Sequence, residues 1–454
     1  MSLKLYNTYS GSIEEFHPID SDHIKMYVCG PTVYDRAHIG NARPAVVFDI
    51  LYRILKTLYK KVTYVRNITD IDDKIYNASL EKNISISELT KNTTHMYHED
   101  IEELNVLPVD IEPKATDHIN DMIEFIKVLI KNGSAYISNN HVYFDVSSFD
   151  SYGKLSKKNK DDLIKGARIE VSEFKHNPLD FVLWKPIDNK FNFGWESPWG
   201  KGRPGWHLEC SVMSQKYLGE IFDIHGGGLD LVFPHHENEI AQSCSHNSNK
   251  KMANYWIHNG HLNINGVKMS KSLGNFFTVH ELLEKYKGEV IRFAFLMTHY
   301  SSPMNFTFEA LNQAKSILDR WYNTLLNFDP SYSDDTNNID QEVFNSLLDN
   351  MNTPKAISIL NSRIDTLNKT PNSKIAETFV NTCRKLLGIM QYDPQKWFCE
   401  VDCEEREWIE KKIKERNEAK QQKNYQLADT IREELKKKNI LIEDTRTGTI
   451  WKKL

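Results

Sequence analysis

The stretch from Met26 to Asn67 most constrains what this chain can fold into. Met26-Tyr27-Val28-Cys29-Gly30 is a short apolar run that reads as a buried strand. A turn-like Gly-Pro-Thr-Val-Tyr-Asp follows. His38-Ile39-Gly40-Asn41 then opens an amphipathic run from Pro44 to Tyr59, with apolar residues at 47, 48, 51, 54, 55 and 58. That is helical spacing. Val62 to Asn67 is β-branched and aromatic, a second strand. Strand, glycine turn, helix and strand make a βαβ unit, and right-handed crossover makes its strands parallel. An anion would sit at the N-terminus of the first helix, where free N–H groups and the helix dipole favour negative charge.

The 454 residues suffice for about three domains of ordinary size. Charged residues at 26% and hydrophobic ones at 40% are ordinary for a globular chain. No apolar run reaches the roughly 18 residues of a membrane span, so no membrane is expected as a partner. The start, Met-Ser-Leu-Lys-Leu-Tyr-Asn-Thr, lacks the apolar core of a secretory signal. Six cysteines (29, 210, 244, 383, 399 and 403) in so long a chain do not read as a disulfide framework. A reducing, cytoplasmic setting is expected. Lys411 to Leu454 holds 13 Lys and Arg against 7 Asp and Glu, a net of +6 in a chain whose net is −5. A basic end on an acidic protein points to a polyanion partner, the alternative being a solvated helix of mixed charge.

Beyond the first unit, residues 110–200 change character, with a helical stretch at His118–Lys131 and a strand-like His141–Asp145. They read as an insertion between two halves of a nucleotide fold. The second half returns with Ile221–His225 as a strand, then three glycines, and Tyr255–Gly260 as another strand. Lys268–Asn275 is polar and reads as a mobile loop before a helix at Val279–Tyr286. From 308 to 395 the pattern is a small helical bundle. A basic amphipathic helix then runs through Trp408 and Ile413, and a second carries Tyr425, Ala428, Ile431 and Leu435 on one side. The end, Ile440 to Trp451, has β character and a tight turn.

Between Gly205 and Glu239 lie a thiol (Cys210), an imidazole (His235) and a carboxylate (Glu239). Pro234 reads as the first residue of a helix, so His235 and Glu239, four apart, project from one face. Thiolate, imidazole and carboxylate together suit zinc in tetrahedral geometry. Cys29 is the best candidate for a fourth ligand. His236 is three residues from Glu239, so spacing leaves open which imidazole binds. The plainer alternative is a buried thiol beside a surface His and Glu.

His38-Ile39-Gly40-Asn41 alone is a weak motif; Lys268-Met269-Ser270-Lys271-Ser272, with two lysines placed to reach phosphate, is much stronger. The pair resembles the two ATP-handling motifs of class I aminoacyl-tRNA synthetases. With Cys29, Thr32–Asp35, Arg66–Lys74, Gly205-Trp206-His207, Cys210 and Phe233–Glu239, the chain closely resembles the cysteinyl-tRNA synthetases, over essentially its whole length and most densely from 26 to 308.

That resemblance implies an α/β fold: a Rossmann-type parallel-sheet catalytic domain (1–110 and 201–260) with a connective insertion (111–200). A region of the phosphate loop and stem contact (261–307), a helical bundle (308–395) and an anticodon-binding end (396–454) follow. It implies ATP-dependent activation of L-cysteine and transfer to tRNA(Cys), by a chain acting as a monomer. The ligands of one Zn2+ fall on Cys29, Cys210, His235 and Glu239, with the substrate thiolate selected at the metal; Mg2+ accompanies ATP. Soft thiolates outcompete hydroxyls as zinc ligands. His38, Lys268 and Lys271 are the expected catalytic residues. Gly40, Asn41, Gly228, Asp230 and Ser270 complete the ATP site. Asn41 departs from the histidine that more usually ends its motif. Thr69 and Trp206 are implied in the amino-acid pocket, and Tyr425, Asp429 and Asp444 at the anticodon. The insertion holds no evident hydrolytic constellation, which fits a synthetase without editing. The related cysteine ligases of mycothiol synthesis would share the active site without the basic end, and a silent zinc protein would not need the two phosphate lysines.

Overall fold

The computed structural model describes residues 2–158, 173–187, 193–264, 266–268, 276–328, 338–398, 403–445 and 448–453. The chain falls into two compact units, one of Met1–Phe308 with Asn345–Pro354, the other of Glu309–Phe344 with Lys355–Leu454.

In the first unit, β1 (Lys4–Asn7) and β2 (Ser12–Glu15) form an antiparallel hairpin. The predicted βαβ unit follows as β3 (His23–Val28), α1 (Ile39–Leu58) and β4 (Lys61–Arg66), its strands parallel with Met26 opposite Tyr64. Next come α2 (Asp73–Lys82), α3 (Ile86–Glu103) and α4 (Ile119–Lys131). β5 (Ala135–Ser138), β6 (His141–Phe144), β7 (Phe181–Pro186) and β8 (Gly202–Pro204) build an antiparallel sheet in chain order. α5 (Trp206–Leu218), β9 (Phe222–Gly228), α6 (Glu237–His246) and β10 (Ala253–Asn259) then complete the central sheet. Its order is β10-β9-β3-β4, every pairing parallel. The strand order reverses direction between β3 and β9. In open α/β sheets a ligand crevice opens at such a switch point, beyond the carboxyl ends of the strands. Cys29 and Gly228 stand at those ends. A smaller sheet, β12 (Val267–Lys268), β11 (Leu262–Ile264) and β13 (Met304–Phe306) in that spatial order, takes in α7 (Val279–Leu283) and α8 (Gly288–Leu296) between its strands.

Three local expectations change. The helix read from Pro44 starts at Ile39, at the cost of the one bond that a Pro44 N–H would have given to the Gly40 carbonyl. The glycines read as following a strand lie within β9. At Gly226 a Cβ would stand 2.3 Å from the Phe48 ring, so α1 packs directly on the strand backbone. Pro234 does not begin a regular helix. Val232–His236 is one wide turn, with Phe233 extended (φ −139, ψ 132), and the α-helix starts at Glu237.

α1 is pinned by a buried ion cluster. Asp49 Oδ2 accepts from Arg53 Nε at 2.7 Å and from Arg292 Nη2 of α8, and its Oδ1 accepts the Leu107 N–H at 2.9 Å. The two guanidiniums hold the Asp49 carboxyl below the usual range against the opposing effect of burial.

In the second unit, the helices Phe308–Leu325, Thr353–Lys369 and Ser373–Thr382 carry the expected bundle pattern, with the Trp321 ring edge-on to Phe379 at 5.1 Å. Helices Cys403–Gln421 and Tyr425–Lys437 and the antiparallel hairpin Ile440–Thr445 with Gly448–Lys453 share a small core of Ile409, Ile413, Ile431, Leu435, Ile440 and Ile442. Ala428, Ile431 and Leu435 are buried as the spacing predicts, but Tyr425, the first residue of its helix, is 63% exposed.

Replacing Asp49 by Ala leaves two buried guanidiniums without their shared counter-charge, and we expect a loss of about 3–5 kcal/mol in stability. Urea unfolding followed by tryptophan fluorescence measures it; a loss below about 1 kcal/mol would show that the cluster does not hold α1.

Candidate active site

Four donors converge beyond the ends of β3 and β9. Cys29 follows β3 directly, its N–H donating to the Gly226 carbonyl at 3.2 Å. Its Sγ lies 3.5 Å from Cys210 Sγ, on the first turns of α5, and 3.4 Å from Glu239 Oε1. The same carboxylate oxygen is 3.1 Å from His235 Nε2. Cys210, His235 and Glu239 are buried and Cys29 is half-buried. A tetrahedral zinc with bonds of about 2.0–2.3 Å has ligand-to-ligand edges of about 3.3–3.8 Å. The two spacings from Cys29 Sγ fall in that range and the His235–Glu239 one about 0.2 Å short of it, so the cluster and its mix of donors fit such an ion after a small adjustment. Burial pushes both thiols up and the His235 imidazole well below its usual value. The imidazole is thus neutral and ready to ligate, while the thiols need a nearby dication to ionise.

A second group of possible ligands shares Cys29 and Glu239 but uses His225 and His236. His236 Nε2 is 3.3 Å from Cys29 Sγ, and its Nδ1 meets His258 Nε2 at 2.7 Å; His258 Nδ1 in turn reaches Thr8 Oγ1 at 2.8 Å. His225 Nε2 meets Glu239 Oε2 at 2.8 Å and stacks on Trp256 at 4.5 Å. His207 Nδ1 lies 2.9 Å from His235 Nδ1. Burial takes His207 and His258 down to about 3, so both are neutral. Partners of this kind fix tautomer and ring orientation. His225 and His258 were not singled out from the sequence. Their only local signal is a histidine near the carboxyl end of each of two strands, and it takes the parallel register, Trp256 beside His225 and His258 beside Gly227, to gather them.

Beside the donors, a cavity of about 320 Å³ is lined by His38, Gly40, Asn41, Trp206, Gly228 and Asp230, among others. With Cys29, which also lines it, seven of the expected site residues share one space. His38 caps α1, and its neighbours tie to the residues that lead into α7: Ile39 N–H donates to Phe277 O at 3.0 Å and Val279 N–H to Ala37 O at 2.9 Å. Asn41 Oδ1 accepts the His38 N–H at 3.3 Å, closing the helix start from within. At Gly228 a Cβ would stand 2.4 Å from Asp230 Oδ1, so only glycine leaves that carboxylate its place. Trp206 also walls a second cavity, of about 270 Å³, with Asp72, Arg203, His207 and Glu209. Its ring lies 4.2 Å from that of His235.

Thr69 lines neither cavity. Its Oγ1 donates to Glu209 Oε2 at 3.0 Å and accepts from Asn67 Nδ2 at 3.1 Å. Asn67 Oδ1 accepts from Tyr27 Oη (3.1 Å) and from the Gly30 N–H (2.9 Å). Asn67 is the hub of a buried network beneath the thiols, a role that its place in the resembling string 66–74 hinted at without specifying.

Lys268 ends β12, its backbone opposite Asn263; Ser270 and Lys271 lie outside the described residues. In the second unit Tyr425 and Asp429 are exposed. Asp444 is clamped by Arg416 (2.9 Å through each nitrogen) and Lys420 (2.8 Å), which hold its carboxyl far below the usual range.

Residues 15–316 match the family model of the tRNA synthetases class I (C) catalytic domain. The chain is 48% identical over 460 residues to a cysteine–tRNA ligase of Rhodospirillum rubrum and 50% identical over 460 to one of Paramagnetospirillum magneticum, covering all of both chains in each case. Its fold is like that of Mycobacterium tuberculosis methionyl-tRNA synthetase in complex with methionyl-adenylate, with a TM-score of 0.57 over 80% of this chain and 89% of that one. At 14% identity that likeness speaks for the fold alone. A catalytic-domain match over well more than half of the chain and near-half identity along its full length place this protein in the cysteine–tRNA ligase family of the class I aminoacyl-tRNA synthetases.

Proposed function

We infer that this enzyme activates L-cysteine with ATP, transfers the cysteinyl group to tRNA(Cys), and selects its amino acid through zinc. The observation that carries this reading is the convergence of Cys29, Cys210, His235 and Glu239 within 4.8 Å of one another beside the His38 cavity. We assign the ion to this group rather than to the one with His225 and His236 because it holds both thiols, which zinc prefers. Zinc there would supply a Lewis-acidic partner for a substrate thiolate, which a serine hydroxyl matches poorly. Rejection that rests on one obligatory bond can be large without a second, editing site.

The chemistry is two transfers. The cysteine carboxylate attacks the α-phosphorus of ATP, forming cysteinyl adenylate and releasing pyrophosphate. The terminal ribose hydroxyl of the tRNA then takes the acyl group and AMP leaves. Both steps move negative charge, which preorganised donors and cations stabilise. His38 and the N–H groups at Gly40 and Asn41 provide donors at the start of α1, where the dipole favours phosphate. Lys268 and Lys271, with Ser270 between them, supply positive charge on the triphosphate, and Mg2+ accompanies the nucleotide. Asp230, given room by Gly228, reaches the ribose hydroxyls. Trp206 covers the amino acid against the donor cluster, while Thr69 acts beneath it by holding Glu209 and Asn67 in place. The Asn41 closure of the helix start supports a conformational role for this residue without an imidazole.

We propose that the second unit carries the tRNA. The net +6 of its end would bind phosphates in a salt-dependent way, and exposed Tyr425 and Asp429 stand free to meet splayed bases. Asp444 fits better as the brace of the terminal hairpin. The five-part division from the catalytic sheet to the anticodon end, a monomeric state and action in the cytoplasm complete the reading. No helix among the described residues is long and apolar enough to cross a membrane.

Cys210→Ser should lose bound zinc and cysteine-dependent pyrophosphate exchange together, measured by metal analysis and isotope exchange. Full zinc content in that variant would overturn the ligand assignment. Lys271→Ala should slow adenylation roughly a hundredfold or more while leaving cysteine binding without ATP nearly unchanged. An unaltered single-turnover rate would remove Lys271 from the chemistry.

A further inference from the structure

Arg43 lies one turn into α1, beyond the His38–Asn41 segment, and only 1% of it is exposed. Among the described residues no carboxylate pairs with it. Its Nη1 donates to the carbonyls of Gly260 (2.7 Å) and His261 (2.8 Å). Its Nη2 donates to those of Ser302 (2.7 Å), Tyr300 (3.2 Å) and His299 (3.4 Å). Five carbonyls thus meet one guanidinium. Burial lowers its pKa to about 10, which still leaves it protonated at neutral pH.

The five carbonyls come from two connections, one joining β10 to β11 and the other joining α8 to β13. Carbonyl dipoles aimed at one point repel, and they stay together only around a donor that serves them all. The connections also touch backbone to backbone: a Cβ on Gly260 would stand 2.3 Å from the Ser302 oxygen. Gly260 N–H donates to Tyr300 O at 2.8 Å and Met304 N–H to His261 O at 2.9 Å. From this knot β11 and β13 run out in parallel, Leu262 opposite Met304, and β11 pairs with β12 so that Asn263 stands opposite Lys268. Arg43 therefore belongs to the helix that presents His38 and grips the root of the sheet whose edge strand ends at Lys268.

We propose that Arg43 is a positioning residue for adenylation: its guanidinium locks the paired connections under β11 and β13 onto α1, so that the two ATP motifs face the same phosphates. The inference rests on the assignment of His38, Lys268 and Lys271 to the triphosphate. A lysine cannot replace the clasp, because one ammonium has three donors and no planar fork.

Arg43→Ala and Arg43→Lys in the full chain, compared with the unaltered protein, test it. The readouts are zinc content, thermal unfolding, and kcat and KM for cysteine and ATP in pyrophosphate exchange. A displacement of catalytic groups by about 1 Å costs up to roughly a hundredfold. We expect the Arg43→Ala kcat to fall by about 30- to 100-fold with zinc content and the KM for cysteine unchanged. Guanidinium ion at tens of millimolar, roughly, should raise that rate several-fold where equal sodium chloride does not. Arg43→Lys should be slowed as well and should not respond to guanidinium, and it carries the test should Arg43→Ala fail to fold. Exchange that falls only in proportion to the folded fraction would overturn the proposal and leave Arg43 a stabilising residue. Normal exchange by Lys271→Ala beside slowed Arg43 variants would overturn the assignment on which it rests instead. Absence of exchange in the unaltered protein would overturn both.

Discussion

Two thiols, an imidazole and a carboxylate are packed around one point, with Glu239 wholly buried and its Oε1 3.4 Å from Cys29 Sγ and 3.1 Å from His235 Nε2. Such a set is poorly solvated and short of positive charge. Among the described residues no Lys or Arg pairs with Glu239, and the imidazoles around it are driven neutral where burial acts on them most, at His235 and His236. Buried anionic donors persist when paired with a cation. Zinc held there would meet that demand and let the thiols ionise.

The sheet order puts this demand where it is useful. Because β3 and β9 are neighbours, residues nearly two hundred positions apart come together at the switch point, and α5 and α6 add Cys210 and Glu239 from the following half. The close approach of Phe48 to Gly226 seats α1 against β9. The start of α1 then opens onto the same cavity as Asp230, beside Cys29 and Trp206. One crevice thereby holds the thiol, imidazole and carboxylate donors at one side and the N-terminus of α1 at the other.

Much of this was legible in the sequence, and the failures are local or long-range in recognisable ways. The βαβ unit was readable because α1 keeps a 3.6-residue period between two β-branched runs. Its start was missed because Pro44 reads as a helix opener, whereas the capping by His38 and Asn41 sets the true end. Gly226–Gly228 read as a break because propensity ignores what lies across the sheet, here an aromatic ring that needs the missing side chain. The antiparallel sheet of β5 to β8 was seen only at His141–Asp145; β5 and β8, of four and three residues, carry too little alternation to stand out. The Cys/His/Glu set was visible by spacing, but its supporting histidines were not, because parallel pairing of β9 and β10 brings them in from separate segments. Spacing alone left the choice between His235 and His236 open, and only the family resemblance pointed to His235, since a wide irregular turn rather than a helix sets their directions.

The central claim is that the cluster is a zinc centre which takes the substrate thiolate as a further ligand. X-ray absorption at the zinc edge, on the enzyme alone and then with L-cysteine or L-serine, tests it most directly. Zinc–sulfur bonds have a characteristic length of about 2.3 Å, against about 2.0–2.1 Å for nitrogen and oxygen. The account predicts about two sulfur neighbours per zinc in the free enzyme. With L-cysteine it predicts one more, and with L-serine no change. A sulfur count that stays the same when cysteine binds would contradict it.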